Sequence, residues 1–261
     1  MPNATFEFFE TIAEELTSED SRVITRADLQ LNSEQAPVLD ALKDELDAAT
    51  TDEAIQRAVQ ILSEHFREKG AVMPFAYDRE TGRFTATDRP FLQFVKHMRS
   101  IRSIGTRSRD FEIGVLQRLA LRVTGSIHRI GHPRDVRKRK DAFNEYLRTL
   151  GFQRAVLLGK EKDGGFDILW LLPLGTIPHR PIVSVQCKNG EFDMAQADLS
   201  VGPGHRSLSQ HGRLDAGVHV PCVLFNDYLY PELLTPKALN FVPLGLSDLS
   251  AMSQSISWVA I

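Results

Sequence analysis

The hydrophobic period of this chain changes near Gly151, and no single-class fold accommodates that change. Before it, apolar residues recur at helical spacing in ATFEFFETIAEEL and again in SEQAPVLDALKDELDAA, where Asn32 or Ser33 is the expected cap. TTDEAIQRAVQILSEHFREKG opens on threonine and acids and closes on basic residues and Gly70, the polarity that a helix dipole favours. RPFLQFVKHMRSI and RDFEIGVLQRLALRV continue the helical texture, and DVRKRKDAFNEYLRTLGF reads as a basic amphipathic helix stopped at Gly151. After it QRAVLLGKE, FDILWLLP and PIVSVQCKN are short, branched and bounded by Gly or Pro, so they read as three strands. RSLSQHGRLDAG is a weaker helix, VHVPCVLFNDYL another strand, and FVPLGLSDLSAM a strand then a helix. The expectation is an α/β chain: a helical region over 1–87, then a domain over 88–261 with a sheet flanked by helices.

Two stretches interrupt this pattern. AVMPFAYDRETGRFTATD carries short strand-like runs on either side of DRETG and predicts a small hairpin. GSIHRIGHPR reads as a linker by composition.

Charge is distributed unevenly, although the net charge is only -3. Up to residue 53 the only bases are Arg22, Arg26 and Lys43. From Arg99 to Lys140 the balance reverses, and only Asp110, Glu112 and Asp135 oppose the bases. A basic segment of this kind is the electrostatic footprint of a polyanion partner. The first residues carry acids where a secretion signal needs a basic head, and no apolar run is long enough to span a bilayer. Cys187 and Cys222 both lie in strand-like runs and read as small core residues, as in a reducing cytoplasm. There is no Gly-rich phosphate loop of either common kind.

The segment DGGFDILWLLPLGTIPHRPIVSVQCKNG raises a chemical question. Charged side chains are rarely buried, yet Asp167 heads one apolar run and Gln186 and Lys188 close the next. In a strand, residues two apart share a face, so Gln186 and Lys188 point one way and Cys187 the other. Pairing of the two strands sets Asp167 beside them. Oxygen donors with one lysine suit a hard divalent cation such as Mg2+, which fills its remaining positions with water or phosphate. Such an ion polarises a phosphate and lowers the pKa of an attacking water, which Lys188 positions or deprotonates.

Asp, an apolar strand and then Gln-x-Lys resembles the PD-(D/E)xK nuclease superfamily, the restriction-endonuclease fold. DGGFDILW followed by VSVQCKNG is similar in particular to its Mrr-like branch, over about residues 134 to 249. Gln186-Cys187-Lys188 is the only such acid-or-amide-x-Lys triplet in the chain. The resemblance implies a mixed central sheet flanked by helices, a Mg2+-dependent DNA endonuclease activity and catalytic roles for Asp167, Gln186 and Lys188. Gln186 departs from the commoner carboxylate and brings no charge. Family members often supply a glutamate from the helix before the first strand, which implies Glu145, with Glu112 as its rival. Metal ligation thus falls to Asp167, Gln186 and Glu145. Asp141, Asp163 and Glu191 are outsiders.

Arginine outnumbers lysine 22 to 9, which is compatible with base readout by bidentate contacts. Arg99, Arg102, Arg107 and Arg109, then Arg134, Arg137, Lys138, Arg139 and Lys140, are the expected backbone contacts to double-stranded DNA. His205, Arg206, Gln210 and Arg213, just beyond the active strand, are the expected contacts near the cut. His205, His211 and His219 match no standard zinc spacing. A homodimeric, sequence-specific restriction endonuclease is the leading reading, since a palindrome needs two sites. A methylation-dependent nuclease with residues 1–87 as a sensor, or as a dimerisation element, is a second. A DNA-binding protein of this fold that does not cut is a third.

Overall fold

The computed structural model describes residues 4–18, 23–104, 108–120, 125–129, 167–172, 181–189, 219–229 and 241–251. They divide between two units: Met1–Ser103 with Ser247–Ile261, and Ile104–Leu246. The expected boundary at residue 87/88 falls inside the first unit, because the helix that begins at Arg89 belongs with the helices before it.

The first unit contains α1 (Ala4–Leu16), β1 (Val23–Thr25), α2 (Arg26–Leu31), α3 (Ala36–Glu45), α4 (Thr51–Glu68), β2 (Phe75–Asp78), β3 (Arg83–Ala86) and α5 (Arg89–Ile104). Its sheet runs β1-β3-β2, antiparallel throughout. The hairpin expected around DRETG is β2–β3, with Gly82 at φ 64 in the turn. A side chain there is disfavoured by the positive φ. Thr50 caps α4 by accepting from the Glu53 amide at 3.2 Å, as its threonine-then-acid opening predicts. The start of α3 differs from expectation. Its N-cap is Gln35, which makes no side-chain capping bond, and Asn32 instead accepts from the Glu34 amide at 3.0 Å. Pro37 near the helix start favours the later entry.

Phenylalanine fills this core. Phe9 stacks on Phe75 with ring centroids 6.0 Å apart and tilts against Phe66 at 5.5 Å. Phe84 presents edges to Phe75 at 5.8 Å and to Phe8 at 6.1 Å. Offset and edge contacts of this kind suit aromatic quadrupoles and add to the burial of large rings. One charge lies within reach of this core. Glu10, only 3% exposed, takes Arg102 Nη2 at 2.5 Å, with Arg99 Nε at 3.7 Å. The chain returns to this unit at Ser247, in α7 (Leu246–Ala251). Buried His65 of α4 meets the Ser247 hydroxyl at 2.7 Å, and Lys69 pairs with Asp248 at 3.2 Å.

The second unit contains α6 (Ser108–Ala120), β4 (Ser126–Arg129), β5 (Ile168–Leu171), β6 (Ile182–Lys188), β7 (His219–Phe225) and β8 (Val242–Leu244). Its sheet runs in chain order, β4-β5-β6-β7-β8. β4, β5 and β6 are antiparallel, whereas β6, β7 and β8 are parallel. The sheet is therefore mixed. Strands β5 to β8 and α7 lie where the sequence pattern places them. β4 corrects the reading of GSIHRIGHPR as a linker: Ile127 faces Trp170 across a regular ladder. Its polar composition hides a strand whose partner, not its own propensity, holds it in place. The strand expected at QRAVLLGKE and the helices expected at 135–149 and 205–216 lie outside the described residues.

Phe111, Val115 and Leu119 recur at helical spacing and turn one side of α6 inward, and the helix packs on β4 and β6. Ile168, Leu169, Val185, Val223 and Leu224 complete the core around the sheet. Cys187 and Cys222 are buried and free, as expected of small core residues. Gly245 marks a close approach, since a Cβ there would lie 2.8 Å from the Asp227 carbonyl oxygen and 2.9 Å from the Leu229 nitrogen. Among the described residues no helix is long and apolar enough to cross a membrane.

Candidate active site

Alternating strand directions bring the chemistry to one end of the second unit's sheet. β4 ends at Arg129, β5 begins just after Asp167, β6 ends at Lys188 and β7 ends before Asn226. Because β5 is antiparallel to both neighbours, its start lies beside their ends. The carboxyl ends of parallel strands are where open α/β sheets commonly bind ligands, and β6 and β7 end here together.

Asp167 holds this corner in two ways. Its amide donates to the Val185 carbonyl at 2.9 Å, and its Oδ2 accepts from the Cys187 amide at 2.7 Å. The two bonds grip β6 on either side of Gln186. The pairing of Ile168 with Val185 makes residue 186 the ladder position for Asp167, so the amide bond to Val185 shows the chain leaving the regular register here. The carboxylate replaces the ladder partner that β5 no longer supplies. Asp167 is 8% exposed, and one of its oxygens has this structural task.

Gln186 contributes the feature that packing does not explain. Its Oε1 is buried and has no hydrogen-bond partner among the described residues. An unsatisfied buried carbonyl oxygen costs about 1–3 kcal/mol. Lys188, two residues on, is half-buried, and among the described residues no carboxylate lies within ion-pair distance of it. Its carbonyl accepts from the Asn226 amide at 2.9 Å. Asn226, fully buried, also donates from Nδ2 to Asn189 Oδ1 at 2.6 Å. This bond ties the end of β7 to the residue that follows Lys188.

Glu112 belongs to α6. It lies on the inward face with Phe111 and Val115 and is 3% exposed. Its Oε2 accepts from Arg129 Nη2 at 2.5 Å. Cys187 is buried near the end of β6. Burial raises its thiol pKa well above the usual value; the charges of Asp167 and Glu112 push it further, and Arg129 opposes them.

The structure brings Asp167 beside Gln186 and Lys188, at the adjoining ends of β5 and β6, whereas Glu112 is paired with Arg129. Glu145, favoured for the helical acid, lies outside the described residues, as do Asp141, Asp163 and Glu191. Of the expected DNA contacts, Arg109 is exposed near the start of α6. Arg107, Arg134, Arg137, Lys138, Arg139, Lys140, His205, Arg206, Gln210 and Arg213 lie outside the described residues. Arg99 and Arg102 are committed to the first unit, where they neutralise Glu10, and Arg99 also meets Glu14 at 3.2 Å. The sequence pattern singled out neither Arg129, which sat in a supposed linker, nor Asn226, at the bend after β7. The signal for Asn226 was available: like Gln-Cys-Lys, it follows directly on an apolar run.

One carboxylate with an orphaned amide oxygen beside it is the oxygen-donor chemistry that a hard cation uses. Among the described residues no three His, Cys, Asp or Glu side chains group as a metal site. No family model matches the chain, and no curated protein or solved structure matches it either.

Proposed function

We propose that this chain is a Mg2+-dependent DNA endonuclease of the PD-(D/E)xK type, acting most simply as a sequence-specific restriction endonuclease. The observation that carries this reading is the orphaned Gln186 oxygen, set between the two bonds of Asp167 and two residues before Lys188. The mixed sheet, antiparallel then parallel, is of the kind that the resemblance implies.

Asp167 and Gln186 would hold the cation, with Glu145 or its rival Glu112 as the helical acid. A divalent cation in this position polarises a phosphate oxygen and lowers the pKa of an attacking water. Lys188 orients that water along the line of attack and offsets the charge that develops on the phosphate. Asn226, through the Lys188 carbonyl and Asn189, fixes the backbone from which the lysine projects. Asp167 keeps its orientation because the Cys187 amide holds one of its oxygens.

The self-contained first unit, with its own core and sheet, favours a second reading in which that unit senses modified DNA. One experiment separates these. Purified protein is incubated with unmethylated and with methylated plasmid, in Mg2+ and in EDTA, and the ends are sequenced. Discrete Mg2+-dependent fragments from unmethylated plasmid support restriction. Cutting confined to methylated plasmid supports the second reading. DNA binding without cutting of either plasmid overturns both.

A further inference from the structure

The six-residue helix α7 is too short to hold its own shape in water, so its contacts set its position. Leu246, Ser247, Leu249 and Ser250 are almost wholly buried. The chain passes from the second unit to the first between Leu246 and Ser247, and each of these two residues is held within its own unit. On the first unit's side, Ser247 Oγ meets His65 Nε2 at 2.7 Å, and the imidazole lies edge to face with the Phe6 ring at 5.0 Å. One turn on, at the end of α4, Lys69 pairs with Asp248 at 3.2 Å, their side chains 19% and 16% exposed.

On the second unit's side, the Leu246 amide donates to the Asp227 carbonyl at 2.9 Å. Gly245 lies so close to that oxygen and to the Leu229 nitrogen that a side chain there would collide with both. The neighbour of Asp227 is Asn226, whose amide donates to the Lys188 carbonyl at 2.9 Å. Its Nδ2 also donates to Asn189 Oδ1 at 2.6 Å. An unbroken run of hydrogen bonds and peptide links thus joins α4 to the backbone of Lys188. Contiguous contacts of this kind can carry coupling between distant residues.

Resting on the nuclease reading, we infer that α7 is a clasp through which the first unit holds Lys188 in place. His65, Lys69, Ser247 and Asp248 are then positioning residues for a reaction that none of them touches. When α7 is released from α4, its first turn is no longer fixed. The bend at Asn226 and Asp227 loosens with it, and Lys188 loses the backbone from which it meets the water. Cutting is sensitive to such a change, since a misplacement of about 1 Å can cost about a hundredfold in rate. The first unit is therefore required for cutting as well as for any sensing of DNA.

Wild type, Lys69→Met and Lys69→Arg are compared as full chains in two assays: cutting in Mg2+ of whichever plasmid the wild type cleaves, and amide hydrogen exchange without DNA. Lys69→Met should lower kcat by about tenfold or more and leave KM for DNA unchanged. Lys69→Arg, which keeps the charge, should restore most of the rate. In Lys69→Met the Leu246 and Asn226 amides should exchange faster by about fivefold or more, while the middle of α4 and of β7 keeps its protection. Asp248→Asn keeps the shape of its side chain, and it decides the matter if Lys69→Met does not fold. A folded Lys69→Met that cuts with the wild-type kcat would overturn the clasp. So would faster exchange at Leu246 with Asn226 protected as in the wild type, because the coupling would then end at α7. If the wild type cuts no DNA, the nuclease reading falls by itself, and exchange at Asn226 alone decides whether α7 holds the strand end.

Discussion

Each unit buries a glutamate against arginine, and the two settings differ. Glu10 meets Arg99 and Arg102 at the margin of a phenylalanine core, and both arginines reach solvent. Glu112 meets Arg129 within the second unit, their side chains only 3% and 12% exposed, in the unit that also buries Asp167, Asn226 and the Gln186 oxygen. The first arrangement is complete in itself. It ties α1 to α5. The second concentrates polar groups at the end of a sheet, where apolar side chains would give more stability. Stability forgone at one strand end is how a site differs from a core.

The largest effect should come from the aromatic core. Phe9→Ala removes a ring that is wholly buried against Phe66 and Phe75, and should cost about 3–5 kcal/mol in chemical denaturation. A cost below about 1 kcal/mol would mean that the first unit is not the packed body described.

Glu10→Gln should cost about 2 kcal/mol, less than a fully buried pair because both arginines can hydrate. Cleavage per folded molecule should be unchanged. A fall in cleavage with no fall in stability would erase the distinction between the two glutamates.

Alkaline pH offers a contrast within the second unit. Burial raises the Cys222 thiol from 9.0 to about 12. The folded state therefore holds a proton that the unfolded state has released, and stability falls as pH rises from about 9 to 12. In Cys222→Ala that fall should be shallower by up to about 1.4 kcal/mol per pH unit. Identical slopes in the two proteins would show that the thiol is not buried as described.

Gln186→Leu sharpens the comparison most directly. It replaces an orphaned oxygen with methyl groups, and should raise stability by about 1 kcal/mol while abolishing cleavage. A loss of stability instead would mean that Gln186 is a packing residue. The smallest effect belongs to the first unit's surface. Thr25 and Asp28 form a capping box at the start of α2, and the Thr25 hydroxyl and amide lower the Asp28 pKa. Thr25→Ala should cost about 1 kcal/mol near neutral pH. The difference should shrink in acid as pH falls through the lowered pKa of Asp28.

Much of this organisation was legible in the residues. The strands at 168–171, 182–188 and 219–225 follow from branched apolar runs, and the hairpin at 75–86 from DRETG. Asp167, Gln186 and Lys188 were legible as strand-end polar residues. Three things were not. β4 has too few branched residues to announce itself, and β5 gives it its register. Arg129 inherited that misreading. The commitment of Arg99 and Arg102 to Glu10 is a pairing across more than eighty residues, and a charge run read locally points outward by default. Glu112 was visible as an acid on an apolar helix face, but spacing alone does not rank it against Glu145.

Lys188→Ala tests the central claim, that the strand ends form a catalytic site. The variant and the wild-type chain are compared in Mg2+ for DNA binding, and for cutting of whichever plasmid the wild type cleaves. The lysine acts on the attacking water and the developing charge, so the account predicts cutting reduced by about a hundredfold or more and DNA affinity nearly unchanged. Cutting at the wild-type rate by Lys188→Ala would contradict it.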